Sequence, residues 1–136
     1  MSHTRKIMYI TNYNSNNVSV IDVASQTEKK RIEVGEGPAG LAIAPSGKYA
    51  YVANHKGNSI SILDLKTEKV IGLLNLTGSP WGIAFTHNGQ YAFVAEFENT
   101  LPAQRDWIRP SSGSGTSSSA SFRSNVLTVL DTNYFN

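Results

Sequence analysis

The chain contains no cysteine among its 136 residues, and this absence excludes several kinds of chemistry. Disulfide bonds, thiolate catalysis, iron–sulfur ligation and covalently attached c-type haem all require that residue. Charge is also sparse, at 16% of residues, and the net charge of +2 is too small to indicate nucleic acid or an acidic membrane surface as a partner. The one basic run, from Lys29 to Arg31, is typical of a solvated edge strand.

Long apolar runs are missing as well. No stretch is long enough to span a bilayer, and the first ten residues lack the apolar core of a signal peptide. No stretch keeps a helical period either. Short apolar runs alternate with clusters of Gly, Pro, Asn and Ser, which is a pattern of strands and turns.

The chain does contain an internal repeat. Tyr9, Tyr51 and Phe93 stand 42 residues apart, and so do Asp22 and Asp64. A period of this length indicates supersecondary units that stack on one another. Each full period reads as four short strands, so we predict one all-β domain of about ten strands with no helix of note.

The repeat also assigns turn residues. Gly47 and Gly89 fall between the first and second strands of their units, where a tight hairpin needs positive φ. Asp22, Asp64 and Asp131 end the third strand of their units. Their carboxylates are suited to accept N–H bonds from the following turn, so we interpret them as structural and not catalytic.

The third copy departs from the repeat. Its second strand is followed by an insertion at residues 97–124, after which the third strand reappears as NVLTVLD. The insertion carries PAQRDWIRP and a Ser/Gly tract, residues 111–121. We expect that tract to behave as a flexible linker, because it has too little apolar area to order itself.

The strands YITN at Tyr9, YVAN at Tyr51 and FVAE at Phe93, with the recurring pattern N-x-[VI]-S-[VI]-[IL]-D, resemble the YVTN-type β-propeller repeat. The resemblance implies a partial propeller of about two and a half four-stranded antiparallel blades. The predicted units are residues 5–34 without a first strand, a complete blade at 38–76, and 80–132 without a last strand. Proteins of this kind include surface proteins, lactonase-like enzymes and periplasmic redox proteins, so the resemblance also implies export.

In such a blade, the loops between the second and third strands share a face with the loops that enter the first strand. We call this the loop face, and loops on a rigid scaffold are where binding usually occurs. Aromatic and arginine side chains are the preferred anchors of interfaces. The candidate binding residues are Trp81, Glu96, Glu98, Arg105, Asp106, Trp107 and Arg109. The alternative is structural: Trp81 packs between blades, and Trp107 pins the insertion.

Carboxylates give the one metal candidate. Glu96 and Glu98 are two residues apart on an extended segment, where both can face a Ca²⁺ ion, and the alternative is a solvated loop. Glu96 also replaces the asparagine found at Asn12 and Asn54 in the earlier copies. No other cofactor is predicted. His55 and His87 fall at opposite ends of a blade, so we interpret each as a surface loop residue.

Two functions remain open from the residues alone. The first is a non-catalytic binding or scaffold module whose ligand or partner lies on the loop face near the insertion. The alternative is a fragment of a propeller enzyme, lactonase-like or periplasmic redox, with active residues partly outside this chain. Incomplete blades expose apolar faces and strand edges, so we expect association with a second copy or with the rest of a larger propeller.

Overall fold

The computed structural model describes residues 6–97, 117–122 and 125–132, and almost all of these residues lie in β-strands or tight turns. None of them forms a helix that is long and apolar enough to cross a membrane. The strands are β1 (Ile7–Asn12), β2 (Asn17–Asp22), β3 (Thr27–Glu33), β4 (Pro38–Ile43), β5 (Tyr49–Asn54), β6 (Ser59–Asp64), β7 (Lys69–Asn75), β8 (Ser79–Phe85), β9 (Tyr91–Phe97), β10 (Ser117–Phe122) and β11 (Asn125–Asp131).

These strands form three antiparallel sheets. Their orders are β1-β2-β3, β4-β5-β6-β7 and β10-β11-β9-β8, which we call blades 1, 2 and 3. The inner strands lie side by side, with β4 contacting both β1 and β8. The prediction of an all-β partial propeller is therefore confirmed.

The strand count differs from the prediction, because there are eleven described strands instead of about ten. The additional strand is β10, which begins in the Ser/Gly tract and pairs with β11 from Ser117↔Leu130 to Phe122↔Asn125. The linker prediction is wrong for residues 117–121. A strand at a sheet edge is ordered by its backbone hydrogen bonds to the neighbouring strand, so it does not need the apolar area on which that prediction depended. Strand β10 fills the outer position of blade 3, which the sequence predicted to be empty.

The turns repeat with the same period as the strands. Gly47 and Gly89 both have φ near +75°, the left-handed conformation that glycine adopts without steric cost. Asn16 and Asn58, another pair at the repeat spacing, have φ of 60° and 50°. Asparagine tolerates this region better than most residues do, which explains its recurrence in these loops.

Aspartates close the turns at the other end of the blades. The Oδ1 atom of Asp22 accepts a hydrogen bond from the Ala24 N–H at 3.1 Å, and Oδ1 of Asp64 accepts one from Lys66 at 2.9 Å. Asp131 ends β11 at the equivalent position. The carboxylates of Asp22 and Asp64 thus hold turns at the end of the blade opposite the loop face, and the same role for Asp131 stays a prediction.

Blade 2 has an apolar core on each side, because successive residues of a strand point to opposite faces. Tyr51 and Ala53 of β5 belong to a cluster shared with blade 3, whereas Ala50 and Val52 belong to one shared with blade 1. All four of these side chains are at most 2% exposed. The blades are therefore joined mainly by face-to-face apolar packing.

Polar contacts at the loop face add to this packing in a repeated way. The Oδ1 atom of Asn16 accepts the Gly37 N–H at 2.9 Å, which links blade 1 to blade 2. One period on, Oδ1 of Asn58 accepts the Ser79 hydroxyl at 3.0 Å, which links blade 2 to blade 3. An asparagine at the same repeat position is thus the acceptor at both junctions, whereas the donor is a backbone N–H at one and a hydroxyl at the other.

Candidate functional site

The loop face is assembled from the loops that the topology predicted to share it. The backbone N–H of His55, in the loop after β5, donates to the Gly37 carbonyl at 2.8 Å, and Gly57 donates to Glu36 at 3.0 Å. These bonds tie the β5–β6 loop to the segment that enters β4. Residues 35–40, GEGPAG, match the spacing G-x-G-x-x-G of dinucleotide-binding loops. They form a turn followed by a strand, so they lack the helix N-terminus that dinucleotide binding requires.

Four rings meet on this face, and we call them the aromatic cluster: Tyr13, His55, Trp81 and Phe97. The imidazole of His55 lies at the centre, with ring centroids 6.3 Å from Tyr13, 4.7 Å from Trp81 and 5.8 Å from Phe97. The Trp81 and Phe97 centroids are 6.0 Å apart. The interplanar angles to Trp81 and Phe97 are 81° and 84°, the edge-to-face geometry that aromatic pairs favour.

The cluster follows from the repeat, although our sequence analysis missed it. Tyr13, His55 and Phe97 stand 42 residues apart, each directly after the position of Asn12, Asn54 and Glu96. Strand alternation turns the first of each pair inward and leaves the ring at the rim of the face. A search for aromatic rings at the repeat spacing would have found the site.

Several contacts hold the central histidine. Its Nδ1 atom lies 3.2 Å from the Pro80 carbonyl oxygen, within hydrogen-bond distance, and the ring is half-buried between its aromatic neighbours. His55 lies in a loop, as predicted, but its ring is partly buried in the aromatic cluster. His87, by contrast, is exposed in the turn between β8 and β9.

Trp81 is a surface residue of the cluster. Its side chain is 50% exposed, and that of Phe97 is 49% exposed. The backbone of Trp81 does pack between blades, because a Cβ atom on Gly40 would overlap the Trp81 carbonyl oxygen. The ring itself leaves that interface and lies against His55, so half of it remains available for contact.

An open, mainly apolar pocket of about 500 Å³ adjoins the cluster. It is lined by Thr11, Tyr13, Pro38, Ala39, Gly40, Trp81 and Gly82, so every blade contributes to it. The Thr11 hydroxyl donates to the Ala39 carbonyl at 2.7 Å, which links blade 1 to blade 2 beside the pocket. The walls are thus mainly aliphatic and aromatic carbon.

One cation lies at the edge of this surface. The Lys56 ammonium nitrogen is 5.0 Å from the centroid of the Tyr13 ring, a cation–π distance. The Lys56 stem lies close to Gly37, where a Cβ atom would come within 2.8 Å of the lysine Cγ. Gly37 has φ of +61°, so glycine allows both the turn and the close approach of the lysine.

Glu96 is buried, although the prediction placed it on the exposed binding face. It is 3% exposed, and its neighbours on β9 alternate in exposure as a strand at a core requires. The solvated-loop alternative is equally wrong. The reason is positional: Glu96 occupies the register of Asn12 and Asn54, which points into the blade junction.

Both carboxyl oxygens of Glu96 have protein partners. Oε1 accepts the Gly78 N–H at 3.0 Å, and Oε2 is hydrogen-bonded to the Thr128 hydroxyl. Burial raises the pKa of Glu96 to about 7, against a smaller lowering from the Gly78 N–H. Glu96 thus connects β9 to the segment entering β8 and to β11.

The equivalent asparagines make related contacts. The Nδ2 atom of Asn54 donates to the hydroxyls of Ser59 at 3.1 Å and Ser61 at 2.8 Å. Its Oδ1 atom is buried and has no hydrogen-bond partner in the part of the chain that the structure describes. Asn12 donates similarly to Ser19, at 2.8 Å. The longer glutamate reaches an additional backbone donor that asparagine does not use.

The remaining predicted site residues lie outside the described residues. These are Glu98, Arg105, Asp106, Trp107 and Arg109. The Ca²⁺ prediction therefore stays untested, since one of its two ligands is among them. Within residues 6–97, 117–122 and 125–132, no group of three or more His, Asp or Glu residues is arranged to hold a metal ion.

Comparison with known proteins supports the fold. The LVIVD repeat family matches residues 40–65, which cover most of blade 2 and less than half of the chain. No curated protein sequence matches the chain. The family match is thus confined to one blade.

Solved structures are similar over a larger part of the chain. The Kuenenia stuttgartiensis hydrazine synthase is 26% identical, covers 67% of this chain and 26% of its own, and has a TM-score of 0.65. A functionally unknown protein from Desulfotomaculum acetoxidans is 24% identical, with coverages of 65% and 30% and a TM-score of 0.59. The dihydro-haem d1 dehydrogenase NirN, in complex with DHE, is 16% identical, with coverages of 68% and 20% and a TM-score of 0.61.

The chain spans only 20% to 30% of the length of these structures. These likenesses support a β-propeller fold for the described blades and an LVIVD-type repeat in blade 2. The YVTN-type assignment stays a prediction.

Proposed function

We propose that this chain is a non-catalytic binding module whose ligand or partner contacts the aromatic cluster and the adjoining pocket on the loop face. The observation that carries the proposal is the recurrence of Tyr13, His55 and Phe97 at one register of three successive blades. Each repeat delivers one ring to the same face, and Trp81 fills the space between two of them. The surface is thus built from the fold's own periodicity.

The exposed area of Trp81 is sufficient to anchor a ligand. A tryptophan buries up to about 250 Å² when fully covered, so covering the exposed half removes on the order of 100 Å² from water. At about 25 cal/mol per Å², this contributes about 2.5 kcal/mol before the cost of association. Half-exposed tryptophans beside a pocket are typical binding hot spots.

The chemistry of the walls restricts the ligand. The pocket presents mainly aliphatic and aromatic carbon, and Lys56 lies at its rim beside Tyr13. A flat apolar group fits these walls, because its ring can pack on Trp81. A tryptophan side chain of a partner protein has this chemistry, and indole is its simplest probe.

Indole titration followed by backbone and side-chain NMR tests the proposal. We expect chemical-shift changes at Tyr13, His55 and Trp81, and at least about a tenfold loss of affinity in Trp81→Ala. Leu73→Ala is the matched control, because Leu73 is 55% exposed on the outer strand of blade 2. Shifts that avoid the cluster, or an affinity unchanged in Trp81→Ala, would contradict the proposal.

A segment of a propeller enzyme is the second candidate. It is favoured by the 26% identity to hydrazine synthase, of whose chain this one spans 26%. In that case the reacting groups lie partly outside this chain, and the loop face supplies one wall of the active site. Lactone hydrolysis by this chain with added divalent metal would overturn the non-catalytic proposal.

A further inference from the structure

The open faces of blades 1 and 3 carry the same repeat positions that are buried inside blade 2. Tyr51, which blade 2 presents to blade 3, is 2% exposed, and its counterpart Phe93 on the open face of blade 3 is 37% exposed. Val52, which blade 2 presents to blade 1, is fully buried, and its counterpart Ile10 is 43% exposed. The exposure of these side chains depends on whether a further blade covers them.

The two open faces are also complementary to each other. In the junction between blades 2 and 3, Tyr51 meets a cluster that includes Ala92, Val94 and Leu130. The open face of blade 1 carries Met8, Ile10 and Ile21 at those positions. The open face of blade 3 therefore fits the open face of blade 1 in the way that blade 2 fits blade 3.

The sizes of the side chains on the two open faces are consistent with this pairing. The face that blade 3 turns to blade 2 also includes Ile83 and Phe85 from the inner strand β8. Blade 1 has no described strand inside β1. Its Met8 and Ile10 are larger than Ala92 and Val94, so they add apolar volume to the described part of that face.

We propose that two copies of this chain associate head to tail, the open face of blade 3 in each copy packing on the open face of blade 1 in the other. Propeller rings typically contain four to eight sheets. Three described sheets per copy make six in a dimer, which falls in this range, whereas one copy falls below it and three exceed it. A two-fold axis then closes the ring and leaves neither face exposed. The proposal is independent of the ligand proposed above.

The mass of the particle in solution is the first test. Light scattering should give twice the 14.8 kDa of one chain, and Phe93→Glu should weaken the dimer at least about 100-fold by placing a charge in the interface. Leu73→Glu is the control and should remain dimeric. Circular dichroism verifies that each variant keeps its strands, and Met8→Glu tests the opposing face if Phe93→Glu fails to fold. A wild-type monomer, a larger open polymer, or a dimer unaffected by both interface variants would overturn the proposal.

Cross-linking tests the head-to-tail arrangement itself. Because the native chain has no cysteine, Met8→Cys and Phe93→Cys each introduce the only thiol of their molecule. In the junction between blades 2 and 3, the position equivalent to Met8 is Ala92 and the position equivalent to Phe93 is Tyr51. Both residues belong to one buried cluster. A mixture of the two variants should form a disulfide between unlike chains, while neither variant alone should cross-link. A disulfide formed by either variant alone would show like faces meeting and would refute the arrangement.

Discussion

Replacing Glu96 by glutamine should remove most of a pH dependence of stability between about pH 5 and pH 8. The carboxyl is 3% exposed, and burial raises its pKa to about 7. Glutamine preserves its contacts. The amide oxygen can accept the Gly78 N–H, and the amide nitrogen can donate to the Thr128 hydroxyl, as a protonated carboxyl would.

The sign follows from proton binding in the two states. Below the ordinary value of 4.5, the carboxyl is protonated in both the folded and the unfolded chain, and burial of the neutral group has its lowest cost. Between 4.5 and about 7, the unfolded chain has lost the proton while the folded chain keeps it. The free energy of unfolding therefore falls as the pH rises through this interval.

The magnitude follows from the width of that interval. Each pH unit within it lowers the free energy of unfolding by about 1.4 kcal/mol. The interval from 4.5 to about 7 then corresponds to a total of about 3 kcal/mol. Above it both states are ionised, and the contribution of Glu96 is constant.

Urea unfolding at a series of pH values measures this effect. The difference in unfolding free energy between Glu96→Gln and wild type should grow by about 3 kcal/mol across the series, in favour of the variant. Contributions that are common to both proteins cancel in the difference. Glu36→Gln, on an exposed loop, is the control and should follow the wild-type curve. The reasoning is refuted if the two proteins show the same slope, or if wild type gains stability from pH 5 to pH 8.

Three further predictions concern other parts of the fold. Gly40→Ala should destabilise the fold by about 2 kcal/mol or more in thermal or urea unfolding, because the new methyl group meets the backbone carbonyl of Trp81. Gly82→Ala is the control: its Cβ would enter open space, so stability should change by less than about 1 kcal/mol. Gln26→Gly should stabilise by up to about 1 kcal/mol, because the native φ of 55° is strained for glutamine, and a lower urea midpoint would contradict this. Burial raises the pKa of Tyr51 to about 12, so stability should fall between about pH 10 and pH 12, and Tyr51→Phe should remove most of that fall in alkaline unfolding curves.

The repeat allowed much of this fold to be predicted. Tyr51 and Ala50 are consecutive on β5 and belong to different cores, as the alternation of side chains along a strand requires. Gly47 and the Asp64 turn followed from backbone geometry that a hairpin requires. These features are local or periodic, so a single copy of the repeat contains the information for them.

The features that were missed depend on pairing between distant segments. Strand β10 is ordered by its partner β11, and the composition of residues 117–122 contains no sign of that partner. Burial of Glu96 is set by Thr128, which is distant in sequence, and by Gly78 of the preceding segment. Composition describes what a segment can bury by itself, whereas these contacts depend on what the rest of the sheet provides.

Two consecutive residues of the third copy, Glu96 and Phe97, lie at the loop-face end of blade 3. Glu96 turns inward and holds the N–H of Gly78, which precedes the strand that carries Trp81. The next residue, Phe97, turns outward and completes the aromatic cluster against that same tryptophan. One pair of consecutive residues therefore fixes the backbone that positions Trp81 and supplies its neighbour on the surface. The buried carboxyl and the proposed binding surface are linked through the short segment from Gly78 to Trp81, so we expect a change in the charge of Glu96 to shift the position of Trp81.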